Sequence, residues 1–191
     1  MMDKIKRSIL AGLCIGLGGA IYLKLGDFIG AAMFSFGLLT IVHFKLPLYT
    51  GTAGFIDVKK GDDWKNMIIV LLGNIAGCYI MSLLNIKGID ATMVIQSKID
   101  AGFIQSLLNA IGCGFIMTII VQAARDKNIL LIFFGIPLFI LLGFYHCVAD
   151  AFYMSLVSAD VFVAFIPTYL IIVIGNFIGC NVPRLLSYKK Q

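Results

Sequence analysis

The chain has 191 residues, of which 60% are hydrophobic and 13% charged, with a formal net charge of +5 and a mean hydropathy of +0.99. A soluble domain of this size cannot hide so much apolar surface, so composition excludes a soluble globular protein and points to an all-α integral membrane protein. The basic residues sit at the ends of apolar runs, which suits lipid headgroups and topology signals and argues against a nucleic-acid-binding face.

Six apolar segments follow in chain order, at about 8–23, 28–44, 67–84, 103–124, 129–156 and 161–186. Each is near or above the ~20 residues that cross hydrocarbon. The basic start up to Arg7 imitates a signal peptide, but no small-residue cleavage site precedes a soluble region, so the first segment is read as a retained span. Gly12 and Gly16 form a GxxxG face suited to close helix contact. In the second segment Phe34 and Leu38 share a helix face. Pro47, Gly51 and Gly54 then argue against continuous helix. Leu46, Leu48, Tyr49, Ala53 and Phe55 are too apolar for a solvated loop, so the stretch reads as a broken helix or re-entrant loop that offers the Thr50 hydroxyl. An ordinary loop with a short interfacial helix is the alternative.

The third segment carries Gly73-Asn74-Ile75-Ala76-Gly77, and the sixth carries Gly175-Asn176-Phe177-Ile178-Gly179. Ahead of the fourth, Lys98 is either a solvated helix-end charge or a fixed positive field that draws anions. The fifth segment is long, has Gly143 in mid-run and holds His146 and Asp150. Phe139 and His146, seven apart, share a face if the helix persists. An ionisable group at bilayer depth is costly and marks a transport path or relay by default; a core histidine bonded to a neighbouring helix is the alternative. His43, at the end of the second segment, reads as interfacial. A second broken span at 145–150 would mirror the one at 48–51. With the repeated Gly-Asn-x-x-Gly motif, this suggests two three-span repeats, over about 5–87 and 98–188, that are inverted because three is odd, within one channel domain of residues 1–191.

Lys4, Lys6, Arg7, Lys59, Lys60, Lys65, Arg125, Lys127, Arg184, Lys189 and Lys190 fall on one side of such a fold, and Lys24, Lys87 and Lys98 on the other. That bias puts both termini in the cytoplasm of a multi-pass protein; the expected location is the plasma membrane, a bacterial inner membrane. The five cysteines lie singly inside apolar runs and read as packing residues. No metal-ligand spacing, cofactor motif or enzyme constellation is evident, so neither metal nor cofactor is expected and the chain is read as not an enzyme.

Taken together, these motifs resemble the formate/nitrite transporter family along nearly the whole chain. Phe34-Ser35-Phe36-Gly37-Leu38 resembles its Phe-Ser-x-Gly-Leu segment, and Leu48-Tyr49-Thr50-Gly51 its Leu-Phe-Thr loop. Trp64 followed by Gly73-Asn74 resembles its third helix, Lys98 the lysine before its fourth, and Gly175-Asn176 the motif of its sixth. Gly143 to Asp150 is similar to Gly-Phe-Glu-His-Ser-Val-Ala-Asn. Tyr145 stands where the family usually has an acid, Asp150 where it has Asn, and Gly114 where Asn is common.

The resemblance implies an aquaporin-like outline of six spans with the second and fifth broken, a homopentamer, and a pore through each protomer. His146 and Thr50 would be the central polar pair. Phe34, Leu38, Leu48, Tyr49 and Phe139 would form apolar constrictions, and Lys98 the positive field. Tyr145, Asp150 and Asn176 would modulate them. The expected partners are lipid, protons and a small monovalent weak-acid anion such as formate, nitrite, hydrosulfide, acetate or lactate. The expected function is passage of that anion assisted by transient protonation near His146. A pore for a neutral solute, or a proton-coupled transporter using His146 and Asp150, are the alternatives.

Overall fold

The structure is a computed structural model that describes residues 1–57 and 59–187. Lys189 and Lys190, counted above for orientation, and the end of the second repeat at 188 lie outside the described residues. Among the described residues there are nine helices and no strand: α1 (Met2–Leu25), α2 (Asp27–His43), α3 (Tyr49–Ala53), α4 (Gly61–Ser82), α5 (Thr92–Asp100), α6 (Gly102–Arg125), α7 (Leu130–Leu141), α8 (Cys147–Met154) and α9 (Ala159–Ser187).

By length and composition α1, α4, α6 and α9 can each cross a membrane, while α2 and α7 are shorter apolar helices. At 24 residues, α1 and α6 each reach about 36 Å at ~1.5 Å per residue. Large apolar side chains face outward along these helices: Phe28, Leu72, Ile104 and Phe134 are all exposed. Such a surface belongs against lipid or neighbouring subunits.

The helix count exceeds the six expected segments for identifiable reasons. The fifth segment is divided: α7 ends at Leu141, Gly143 takes a left-handed φ of 69°, and α8 begins at Cys147. The second segment ends at His43, Lys45 turns left-handed, and Pro47 has no N–H to continue a helix, so α3 stands alone. The helix α5 has no counterpart among the expected segments. It is too polar for a hydropathy reading, yet it buries Ile95 and Lys98. The first helix begins at Met2 rather than near Ser8, with Lys4 Nζ donating to Asn66 Oδ1 of α4 at 2.7 Å.

Two crossings hold the frame: α1 packs on α4, and α6 on α9. Both are backbone-to-backbone contacts. A Cβ added at Gly77 would lie 2.0 Å from the Ile9 carbonyl oxygen, and one at Gly179 would lie 2.0 Å from that of Ile111. Only glycine permits such an approach. The same geometry accounts for Gly114, where a Cβ would sit 2.3 Å from the Asn176 carbonyl oxygen, so no larger residue fits there.

Candidate functional site

The non-helical residues 44–48 and 142–146 leave backbone groups that no helix satisfies, and inside hydrocarbon each must find a partner. The two asparagines of the repeated motif supply it. Asn74 Oδ1 accepts from Tyr49 N at 2.8 Å, while its Nδ2 donates to Ser8 O at 2.8 Å and Pro47 O at 3.1 Å. Asn176 Oδ1 accepts from Cys147 N at 2.8 Å, while its Nδ2 donates to Ala110 O at 2.8 Å and Tyr145 O at 2.7 Å. Each amide ties a short helix's first N–H, a carbonyl just before it, and a carbonyl of a long helix. Both asparagines are fully buried.

The residue each clamp holds in the middle is extended: Leu48 has φ −109° and ψ 138°, and His146 has φ −110° and ψ 109°. Two cysteines, read from sequence as packing residues, continue the pattern. Cys78 Sγ lies 3.2 Å from Val148 O of α8, and Cys180 Sγ lies 3.4 Å from Thr50 O of α3. The thiol is a weak donor, suited to a carbonyl left open by a short helix.

His146 and Thr50 meet where these elements converge. His146 Nε2 lies 2.9 Å from Thr50 Oγ1, and both residues are buried. Ala149 N donates to His146 Nδ1 at 3.2 Å, the N-cap bond of α8. A nitrogen that accepts from an amide carries no proton, so this bonding pattern assigns the hydrogen to Nε2, which donates to Thr50 Oγ1. The Thr50 hydroxyl hydrogen is then available to a third group. Protonating Nδ1 would set two donors against each other and cost the cap bond of α8.

Aromatic rings pack around this pair. Phe139 lies 5.9 Å from the His146 ring, and Phe34 meets Phe139 edge-on with centroids 6.4 Å apart. On one side lies a cavity of about 450 Å³ whose walls include Phe34, Phe139, His146, Lys98 and Asp150. On the other lies a cavity of about 630 Å³, bordered by Leu38, Leu48 and Gly51 and by the cations Lys45, Arg125 and Lys127. Of the expected site residues, Phe34, Phe139 and His146 border one cavity and Leu38 and Leu48 the other, while Thr50 borders neither and joins the site through its contact with His146.

Lys98 and Asp150 form a separate pair. Lys98 Nζ contacts Asp150 Oδ1, with side chains 9% and 0% exposed. The ammonium also sits 4.4 Å from the Tyr145 ring centroid and 5.8 Å from that of Tyr153. Asp150 is not bonded to the His146 ring. Tyr49 is directed elsewhere: it borders neither cavity, and its hydroxyl donates to Val173 O at 3.2 Å. His43 is exposed and packs edge-on against Phe44. Asn176, expected to modulate the site, bonds the backbone on either side of His146 and makes no bond to its ring. Among the described residues no three His, Cys or Asp side chains converge as metal ligands.

An apolar, all-helical frame with two short helices linked through a buried Thr50–His146 pair, and a cavity on each side, is the layout of a membrane transport protein. The chain belongs to the formate/nitrite transporter family, whose model matches residues 1–188. It is 28% identical over 243 aligned positions to the uncharacterized transporter YrhG of Bacillus subtilis (strain 168), across all of this chain and 90% of that protein. Its fold is similar to that of a pentameric formate channel with formate bound, with a TM-score of 0.84 at 18% identity over 95% of this chain and 93% of the other. It is similar also to an FNT family ion channel, with a TM-score of 0.83 at 22% identity over 95% of this chain and 86% of the other. Family and structural neighbours are channels and transporters, and the chain is not an enzyme.

Proposed function

We propose that the chain is a channel for a small monovalent weak-acid anion such as formate, nitrite or hydrosulfide. The observation that carries this reading is the Thr50–His146 pair between two cavities. A solute passing between them meets a hydroxyl hydrogen backed by an imidazole N–H, flanked by Phe34 and Phe139 on one side and Leu38 and Leu48 on the other. A bare anion among these apolar groups costs several kcal/mol or more, whereas a small neutral acid costs far less. The donors ease the anion's approach, and a proton drawn from vestibule water converts it to the neutral acid for the crossing.

In this reading α2 with α3, and α7 with α8, are two interrupted spans, which brings the spans to six. The matching Asn74 and Asn176 clamps support two inverted repeats within one domain. The proposed assembly is a homopentamer, like the pentameric formate channel whose fold it resembles, in a bacterial inner membrane with both termini cytoplasmic. The test is uptake of labelled formate, nitrite and hydrosulfide into proteoliposomes by wild type and by His146→Phe. Wild-type flux that the variant loses is expected; no flux of any of the three in wild type refutes the reading.

A further inference from the structure

The cavity beside Lys98 differs in charge from the one opposite. Lys45 and Lys127 line the opposite cavity, and among the described residues no acid does. Beside Lys98 the charge is balanced. The ammonium rests on Asp150 Oδ1 and over the Tyr145 and Tyr153 rings. A contact pair seen from a distance is a dipole, so its pull on an approaching anion is a small part of a lone lysine's.

Asp150 has a second feature. Its residue is wholly buried, it lines the cavity, and Oδ2 has no hydrogen-bond partner among the described residues. Lys98 of α5 touches this carboxylate, Tyr22 of α1, Tyr145 of the segment before α8 and Tyr153 of α8 share its cavity, and Cys113 of α6, Cys147 of α8 and Tyr169 of α9 lie within reach of its charge. None of them bonds to Oδ2. An open carboxylate oxygen calls for a donor. A weak-acid anion brings none, whereas its undissociated form brings one O–H or S–H, and a hydroxyl bonded to a carboxylate is among the stronger hydrogen bonds.

We propose that Asp150 sets the specificity of this cavity by receiving the undissociated acid, whose O–H or S–H donates to Oδ2 while Lys98 stays paired with Oδ1. The inference rests on the channel reading above and refines it. On the Lys98 side the solute is already protonated when it reaches Phe34 and Phe139. On the side of Lys45 and Lys127 the anion is the favoured form. No bond is made or broken at Asp150; the proton travels with the solute.

Initial uptake of labelled formate into proteoliposomes tests this. The pH and total formate are varied together so that undissociated acid is constant while the anion changes, and protein-free liposomes are subtracted. Wild-type rate is expected to follow the undissociated acid. Asp150→Asn, which removes the acceptor and uncovers Lys98, is expected to lower the rate at a given undissociated acid concentration about tenfold or more and to make the rate rise with the anion. Tyr145→Glu/Asp150→Asn, which returns an acid to the lysine, is expected to recover part of the wild-type rate. A wild-type rate that rises with the anion at constant undissociated acid overturns the inference, whatever the variants do. Asp150→Asn with the wild-type dependence overturns it as well. Absence of formate, nitrite and hydrosulfide flux in wild type is the separate result that removes the channel reading and this inference with it.

Discussion

Replacing Asn176 by Ala removes three hydrogen bonds at one stroke, and the structure indicates what each is worth. The Ala110 carbonyl lies inside α6 and keeps its intrahelical bond, so its loss is small. Cys147 N–H opens α8 and Tyr145 C=O lies in the non-helical segment, so both are left bare and buried. A buried backbone group without a partner costs about 1–3 kcal/mol, which gives about 2–6 kcal/mol for the two. The lower half of that range is expected, because a chain released within lipid finds substitute partners. Stability of ~5–15 kcal/mol makes this a visible fraction of the total. The assay is thermal unfolding of the purified protein, with formate flux measured in parallel, since His146 is the residue between the two released groups. Asn176→Asp keeps the acceptor for Cys147 but turns a carboxylate oxygen towards two carbonyls, and should be no better than Ala. Asn74→Ala breaks the same three kinds of bond around Leu48 and should lower the midpoint by a similar amount. An Asn176→Ala protein that melts with wild type refutes the reasoning, because the clamp would then contribute nothing net.

Two further outcomes follow from the same geometry. Thr50→Val keeps shape but leaves His146 Nε2–H without an acceptor; at about 1–3 kcal/mol this corresponds to a flux lower by about five- to 160-fold. Thr50→Ser should keep most of the flux, and equal rates for Val and wild type would exclude a role for the hydroxyl. In the connection between α4 and α5, Asp90 accepts from Thr92 N at 2.9 Å and Thr92 Oγ1 at 2.7 Å, and these donors hold its carboxyl below the usual carboxylate range. A group whose folded form is the stronger acid stabilises above its unfolded pKa and loses that contribution as pH falls through its folded one. The protection factor of the Thr92 amide, its exchange measured against the intrinsic rate at each pH, should therefore fall on acidification through and below the carboxylate range. Asp90→Ala should show the lower protection already at neutral pH.

Much of this site was legible because charge and proline are rare at bilayer depth. His146, Asp150 and Lys98 stand out in an apolar chain, and Pro47 with Gly143 marks where helix cannot run smoothly. Asn74 and Asn176 were visible as a repeated motif, but their task was not, since it depends on the path of loops a single sequence does not fix. Cys78 and Cys180 looked like packing residues because their carbonyl partners lie on α8 and α3, far along the chain. Tyr49 was expected at an apolar constriction; its phenol instead donates to α9, as a buried hydroxyl needs a partner. The helix α5 gives no hydropathy signal because polar residues dilute its apolar ones, although it carries the lysine that meets Asp150.

The substitutions at 145 and 150 are best understood together. A lysine as buried as Lys98 needs an anion, because desolvating an ammonium costs several kcal/mol. With a tyrosine at 145 the ammonium gains an aromatic face, worth about 0.5–2 kcal/mol, which is too little alone. The carboxylate must then come from another neighbour, and position 150, one turn into α8, is within reach. The family pattern of Glu before the histidine and Asn four residues after it becomes Tyr and Asp here, with one negative charge in either arrangement. Asp150 is consequently committed to Lys98 rather than to the imidazole, and the His146 ring keeps Ala149 N–H and Thr50 as its bonding partners. Changing either residue alone should disturb the lysine more than changing both, because each compensates for the other at the same cation.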